Sequence, residues 1–354
     1  MESVEKGELK KIQEILQEEA PSRAQRVISN NDILFQCVRP YQKNNYIHRV
    51  KNTSNIQWIA STGYAQIRTT ESPNYIYHLL NTDGFNRKVM VRCTGSSYPA
   101  INSEDLSAIR FYLSTDKKEQ CKIARLLDLL DERISTQNKI IEKYESLIQA
   151  MCDTLIESEQ LKVELSFNDF GKPYSGLSGK SAEDFGNGWP YITYMNVYQN
   201  QIIDITDVGL VKINETEQQS VVRYGDILFT LSSETPDEVG MGAVYLGDAY
   251  PLYLNSFCFG VHITDESKIF SPFLAYYIST KTFRKAVFPL AQGSTRFNLQ
   301  KNDFMKKIFH FPTVKKQSEI YSVLKAYSDK LSIEKNIVNL LCEQKSYLLR
   351  QLFI

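Results

Sequence analysis

The tetrapeptide Asp32-Ile33-Leu34-Phe35 returns intact as Asp226-Ile227-Leu228-Phe229, 194 residues further along a chain of 354. Other echoes keep a nearly constant spacing around it. Pro73-Asn74-Tyr75-Ile76-Tyr77 is answered by Pro272-Phe273-Leu274-Ala275-Tyr276, and Phe85-Asn86-Arg87-Lys88, more loosely, by Phe283-Arg284-Lys285-Ala286. Gly95-Ser96-Ser97 meets Gly293-Ser294-Thr295 at 198 residues, Ile101 meets Leu299, and Asp105-Leu106 meets Asp303-Phe304. Chance does not hold one spacing through so many points. The chain is an internal duplication, and a repeat decides the architecture before any local reading does.

Each copy closes on a heptad pattern. In the first, Ile123, Leu127, Leu130, Ile134, Ile141, Tyr144, Ile148, Met151 and Leu155 step by four and three, with Gln137 on the missing rung. In the second, Ile320, Leu324, Tyr327, Leu331, Val338, Leu341, Leu348 and Leu352 do the same, with Glu334 and Lys345 on the polar rungs. Heptads uninterrupted by Gly or Pro predict long coiled-coil helices, and about 33 residues would reach roughly 50 Å. Two such helices on one tether favour pairing with each other over pairing with a second molecule. Antiparallel pairing would put Gln137 and Glu334 in adjacent layers near the middle, where a polar layer sets register.

The parts ahead of the helices read as mixed. Residues 221–230, 241–246 and 254–263 are β-rich, residues 272–286 predict one helix with Ser271 placed to cap it, and residues 173–188 predict a loop. Residues 1–30, rich in Glu and Lys, predict a helix. The first copy has only 31 residues before Asp32, against about 65 before Asp226, so it lacks a counterpart of residues 190–197. The fold class expected is α+β: two mixed α/β domains alternating with two long antiparallel coiled-coil helices.

Composition narrows the function. Hydrophobic residues at 42% and charged residues at 23% are those of an ordinary globular chain, and the length suggests about two domains. No apolar run approaches the ~18 residues of a membrane span, and residues 1–20 carry charges where a signal peptide needs an apolar core, so a cytoplasmic protein is expected. The six cysteines form no C-x-x-C pair and the four histidines are dispersed. Reduced thiols and no metal site are expected. Net charge is zero, yet Arg39, Lys43, Arg49, Lys51 and Arg68 stand between residues 33 and 70 without an acid. Between residues 281 and 307, Lys281, Arg284, Lys285, Arg296, Lys301, Lys306 and Lys307 face only Asp303. Local basic stretches in a neutral chain suit a nucleic-acid face; solvated surface is the plain alternative.

Catalytic motifs are wanting. Gly179-Lys180-Ser181 resembles the end of a phosphate-binding loop, but the second glycine that loop needs is Tyr174. Asp237, Glu266 and Lys268 imitate the acid-and-lysine set of a metal-dependent nuclease, yet each falls in a polar surface connection. No Asn-Pro-Pro-Tyr loop, Gly-x-Gly-x-x-Gly run or anchored Ser–His–Asp set occurs. What remains are two Gly-Ser loops in basic surroundings, Thr94-Gly95-Ser96-Ser97-Tyr98 and Gln292-Gly293-Ser294-Thr295-Arg296-Phe297-Asn298. Gly permits close backbone approach, Ser and Thr bond phosphates or base edges, and Arg296 could fork onto guanine. An ordinary helix-to-strand connection is the alternative.

Several stretches, taken in order, resemble the DNA-specificity (S) subunits of type I restriction–modification systems. They are Ala20-Pro21-Ser22-Arg23-Ala24, Asp32-Ile33-Leu34-Phe35, Val38-Arg39-Pro40-Tyr41, Ala60-Ser61-Thr62-Gly63-Tyr64 and Gly95-Ser96-Ser97-Tyr98-Pro99-Ala100-Ile101. Glu119-Gln120-Cys121-Lys122-Ile123-Ala124, running through Leu130-Asp131-Glu132-Arg133-Ile134, resembles the start of a spacer helix. Pro190-Tyr191-Ile192-Thr193-Tyr194-Met195-Asn196-Val197 resembles the opening strand of a recognition domain. The resemblance implies a first target-recognition domain over residues 1–115, a spacer helix over 116–160, a second recognition domain over 161–312 and a second spacer over 313–354. It implies a non-catalytic reader of bipartite double-stranded DNA that docks two methyltransferase (M) subunits and restriction/translocase (R) subunits and has no membrane role. No cofactor is expected in this chain; S-adenosylmethionine, ATP and Mg would sit on the partners. The DNA-contacting residues expected are Arg39, Lys43, Ser96, Ser97 and Tyr98 in the first domain, and Tyr194, Asn196, Ser294, Thr295, Arg296 and Lys301 in the second. A stand-alone metal-dependent nuclease and a coiled-coil adaptor without DNA reading are the alternatives.

Overall fold

A buried carboxylate opens the central strand of each repeat. The computed structural model describes residues 4–5, 7–10, 12, 14–50 and 57–353, and in it Ile33–Gln36 and Ile227–Thr230 are strands buried at every position. A short apolar run with no polar alternation suits a strand covered on both faces. The first pairs antiparallel with Tyr46–Ile47 and Tyr64–Ile67, the second with Gly242–Val244 and Cys258–Ile263. The register is the same in both: Ile33 faces Ile67 and Phe35 faces Ala65, as Ile227 faces Val261 and Phe229 faces Phe259. The second sheet adds a fourth strand, Gly171–Ser175, along Cys258–Ile263, whereas among the described residues the first sheet ends at Tyr64–Ile67.

The carboxylates lock that register. Asp32 and Asp226 are 1% and 2% exposed. Asp32 accepts from the Ser29 amide at 2.7 Å, from Gln66 Nε2 at 2.6 Å, and from Arg68 twice at 2.8 Å. Asp226 accepts from the Arg223 amide and the Tyr174 hydroxyl, each at 2.8 Å, and lies 2.9 Å from His262 Nδ1. Arg68 and His262 hold the same place in the two repeats. The preceding residue turns through left-handed backbone in both, Asn31 at φ 69° and Gly225 at φ 85°, a conformation Asn and Gly adopt most readily. Burial alone would push the Asp32 carboxyl up, but the bonds from Arg68, Ser29 and Gln66 outweigh it and bring the pKa down to about 2.

The helices repeat as closely as the strands. Pro73–Leu80 and Asp83–Met90 correspond to Ser271–Tyr277 and Lys281–Val287. The Thr82 hydroxyl accepts from the Phe85 amide at 3.1 Å and donates to the Leu79 carbonyl at 2.8 Å. Thr280 does the same with Phe283 at 3.2 Å and Tyr277 at 2.7 Å. The single helix expected over 272–286 is therefore two, because the Thr280 cap starts a new one. Ser271 is the first helical residue rather than the cap, and Phe270 takes the cap position with no side-chain bond.

Three further expectations change. The described part of residues 1–30 holds no α-helix: it forms Val4–Glu5, Glu8–Leu9, a single 3-10 turn at Gln17–Glu19, and Ala24–Val27 paired with Ile59–Ser61. The opening strand of the second domain ends at Ile192, after which the Thr193 hydroxyl caps the helix Tyr194–Gln199. The loop expected over 173–188 is shortened from both ends by Gly171–Ser175 and Phe185–Ile192. Over 221–230 the strand begins only at Ile227.

The heptad segments form the helices Lys117–Glu157 and Val314–Leu352. Each is stitched to its own repeat by a fully buried glutamine. Gln120 accepts from the Ser72 amide at 3.1 Å and donates to the Ser114 carbonyl at 2.8 Å; Gln317 bonds the Phe270 amide at 2.7 Å and the Pro312 carbonyl at 2.8 Å. The chain divides into two compact units, residues 1–140 with 334–354 and residues 141–333, so each holds one globular part and portions of both helices. In the first unit those portions run antiparallel: Gln137 Nε2 donates to Glu334, Lys345 pairs with Asp131, and the Phe353 ring lies 4.9 Å from that of Tyr75. In the second, Ile148, Cys152 and Ile156 share a core with Ile320 and Leu324. Gln137 and Glu334, expected in adjacent layers, bond each other directly.

Two outcomes test this account. Gln137→Leu, which removes the donor facing the buried Glu334, costs about 1–3 kcal/mol in urea unfolding, and Gln137→Leu with Glu334→Leu recovers most of it. The Asp32 carboxyl titrates below its ordinary value of 3.8, so its contribution is present in full above that value and is lost as pH falls toward about 2. The stability gap between the native chain and Asp32→Asn therefore narrows by about 2 kcal/mol from pH 5 to pH 2, read by unfolding at each pH.

Candidate nucleic-acid interface

The two Gly-Ser loops close on matching frames. In the first unit Thr94 and Ala100 exchange backbone bonds of 2.9 and 3.0 Å, and Ala100 also bridges to Val38. In the second, Gln292 pairs with Asn298, and Asn298 pairs in turn with Ser232. Gly95 at φ 89° and Gly293 at φ 139° begin the loops. A Cβ on Gly293 would stand 2.1 Å from the Arg296 carbonyl oxygen and one on Gly95 would stand 3.0 Å from that of Tyr98, so only glycine turns here unstrained.

What the loops carry differs. In the first, Ser96, Ser97 and Tyr98 are exposed, Tyr98 at 65%. The Arg39 guanidinium lies 4.3 Å from the centre of the Tyr98 ring, a cation–π contact that aims a positive edge beside the loop. Arg39 and Lys43 both have left-handed backbone, at φ 54° and 51°, flanking the turn Pro40–Gln42. Lys43 Nζ is held by Asp83 at 2.6 Å. In the second, Ser294, Thr295 and Arg296 are exposed at the tip. Tyr194 is half-buried beside them: its hydroxyl donates to the Ser232 carbonyl at 2.7 Å, and its ring is stacked 6.0 Å from Tyr198. Burial pushes the Tyr194 hydroxyl up, against the pull of nearby Arg296.

Of two further expected contacts, one is buried and the other partly so. Asn196 is fully buried, its amide donating to the carbonyls of Asp204 and Asp207 at 2.7 and 2.6 Å, so it fastens the following loop and has no surface to present. Lys301 lies over the Phe259 ring at 5.6 Å and 3.5 Å from Ser175 Oγ, with burial lowering its pKa. A polar residue before Val197 reads as strand surface only if 190–197 is a strand, and the Thr193 cap rotates Asn196 inward. That cap also brings Tyr198 beside Tyr194, one helical turn on, where it bonds Glu238. Sequence reasoning missed Tyr198; the i, i+4 tyrosines after a capping Thr were its signal.

The basic stretches are partly spent inside the fold. Arg49 lies 3.6 Å from Asp128, Arg68 bonds Asp32, and Lys281 lies 3.5 Å from Asp153. Arg284 donates to the carbonyls of Asp237, Val239 and Gly240, and burial lowers its pKa. Lys51 lies outside the described residues. Lys285, Arg296, Lys306 and Lys307 are exposed. Among the described residues no group of three His, Cys, Asp or Glu is placed to hold a metal ion. Lys268 is taken by Asp265 and the Asp169 carbonyl, and Lys180 by Glu217 and the Lys212 carbonyl.

Sequence comparison with curated proteins finds no match. Residues 175–342 match the family described as "Type I restriction modification DNA specificity domain". Among solved structures, a chain from a study of complex assembly and conformational transition of the type I R-M system aligns at 20% identity over 98% of this chain and 87% of its own, with a TM-score of 0.60. The S subunit of a type I restriction–modification system from M. genitalium aligns at 16% identity over 93% of this chain and 84% of its own, with a TM-score of 0.55. These likenesses give the fold, with its mixed α/β parts and its two long helices. Over residues 175–342, just under half of its length, the chain is thus similar to the type I restriction modification DNA specificity domain.

Proposed function

We propose that the chain reads a split, asymmetric DNA site, with each globular part taking one half through its Gly-Ser loop. The observation that carries this reading is the loop pair: one backbone frame, closed by equivalent bonds, presents Ser96-Ser97-Tyr98 in one copy and Ser294-Thr295-Arg296 in the other. A constant frame with different tips is what two half-sites of different sequence require, since phosphate contacts position while side chains at base edges specify. Arg39, held over Tyr98, and Arg296 are the base-reading candidates. Lys43, Ser96, Ser97, Ser294 and Thr295 contact the backbone, and Tyr194 borders the second loop. Asn196 and Lys301 support the frame.

In this reading the long helices set the gap between the half-sites and dock two methyltransferase subunits, with restriction subunits joining through them. S-adenosylmethionine, ATP and Mg then belong to the partners, and this chain carries no cofactor. No described helix is long and apolar enough to cross a membrane, and the complex works in the cytoplasm.

The test is a base-resolution methylome of cells co-expressing the chain with its methyltransferase partner. A new methylated motif, split by a fixed unspecified gap, is expected; none, despite a formed complex, would sink the reading. Arg296→Ala relaxes one base position of the second half-site by about 1–3 kcal/mol while leaving the first half-site unchanged. An equal loss on all sequences would make Arg296 a phosphate contact.

A further inference from the structure

The turn leading into Tyr64–Ile67 in the first unit, and into Cys258–Ile263 in the second, keeps its backbone and changes its tip. In Ser61-Thr62-Gly63-Tyr64 the Ser61 hydroxyl accepts from the Gly63 amide at 3.3 Å, and the Gly63 carbonyl accepts from the Cys37 amide at 3.0 Å. In Asn255-Ser256-Phe257-Cys258 the Asn255 side chain accepts from the Phe257 amide at 2.9 Å, and the Phe257 carbonyl accepts from the Leu231 amide at 2.9 Å. Tyr64 then pairs with Gln36 as Cys258 pairs with Thr230, so the register sets Phe257 on the position of Gly63. Leu254 and Cys258 on either side are fully buried, yet Phe257 is 58% exposed. A large ring on a pinned turn, facing outward, adds little to the core.

Leu231 ties this turn to the Gly-Ser loop. Its amide donates to Phe257, while its carbonyl accepts from Leu299 at 2.8 Å, on the strand that leaves the loop. The turn and that strand therefore lie two strand spacings apart, about 10 Å, the span of about three stacked base pairs. On the other flank the Asn255 amide donates to the Ile192 carbonyl at 3.0 Å, two residues before Tyr194, whose hydroxyl bonds Ser232. Phe257, Tyr194 and the loop carrying Arg296 are thereby neighbours. In the first unit Cys37 makes the same ties, to Gly63 and to Ile101, each at 3.0 Å, and the tip there bears no side chain.

We propose that Phe257 is a specificity-determining residue that reads the C5-methyl group of a thymine in the second half-site. This rests on the second globular part reading DNA. The ring's chemistry selects the target: phenylalanine has no donor or acceptor to offer a phosphate or a polar base edge, and the thymine methyl is the apolar group that bases present in the major groove. The Asn255 bond holds the turn in place before DNA arrives, so little ordering cost falls on binding. With Gly63 at the matching position, the first half-site carries no such requirement.

The test uses the chain assembled with its methyltransferase partner and duplexes bearing the split motif found by methylome sequencing, the second half-site being the one that Arg296→Ala relaxes. Each thymine is replaced in turn by deoxyuridine, which lacks only the methyl group. One replacement in the second half-site should weaken binding about fourfold, the worth of one buried methyl. The Phe257→Ala complex should bind thymine and deoxyuridine there alike, while the variant chain melts as the native one does. If Phe257→Ala keeps the native preference for thymine, or no thymine of that half-site matters, the proposal is overturned although the split motif stands. A Phe257→Ala chain that no longer assembles with the methyltransferase also overturns it, since the ring would then face that subunit. Absence of any split motif would remove the half-site reading itself, and this proposal with it.

Discussion

The structure depends on a carboxylate buried at the start of each central strand. Asp32 and Asp226 sit where an unpaired charge would be untenable, so the chain must deliver partners to them from fixed positions. A backbone amide three residues earlier comes with the tight turn. The charged or imidazole partner comes from the antiparallel neighbour, which fixes how that strand slides against the central one. A one-residue slip would turn Arg68 or His262 to the opposite face and strand the carboxylate. Register, turn and the helices packed on the sheet all follow from satisfying this one group.

The two copies satisfy it differently. The first uses Gln66 and Arg68, both from its own neighbouring strand; the second uses His262 and a tyrosine from a fourth strand. The frame has held while the chemistry attached to it has drifted, and the loops behave the same way. The paired threonine caps and the paired glutamines at the helix roots keep their partners as well as their positions. What is shared concerns backbone geometry; what differs concerns side chains that reach outward.

That division explains what was legible in the sequence. The duplication, the long helices and the positions of the Gly-Ser loops could all be read, because repeats, heptads and left-handed glycines are local signals. The helix at Tyr194–Gln199 could not, since aromatic and β-branched residues favour a strand and only the Thr193 cap overrides them. The break at Thr280 was hidden in the same way: one hydroxyl decides it. The basic stretches were visible as charge but not as surface, because Arg284 and Arg68 are spent on carbonyls and on a buried carboxylate contributed from distant parts of the sequence. Contacts across tens of residues leave no trace in local composition.

Gln137 and Glu334 occupy the same position in the two copies and bond each other. Two identical chains meeting at such a self-facing site are limited to like with like. Glutamate against glutamate would repel, and glutamine against glutamine would be indifferent to which is which. A duplicated chain is free of that limit and places a donor against an acceptor. The pair thereby marks one copy as distinct from the other at the point where they are otherwise most alike, and it writes a direction into an arrangement that symmetry would leave without one.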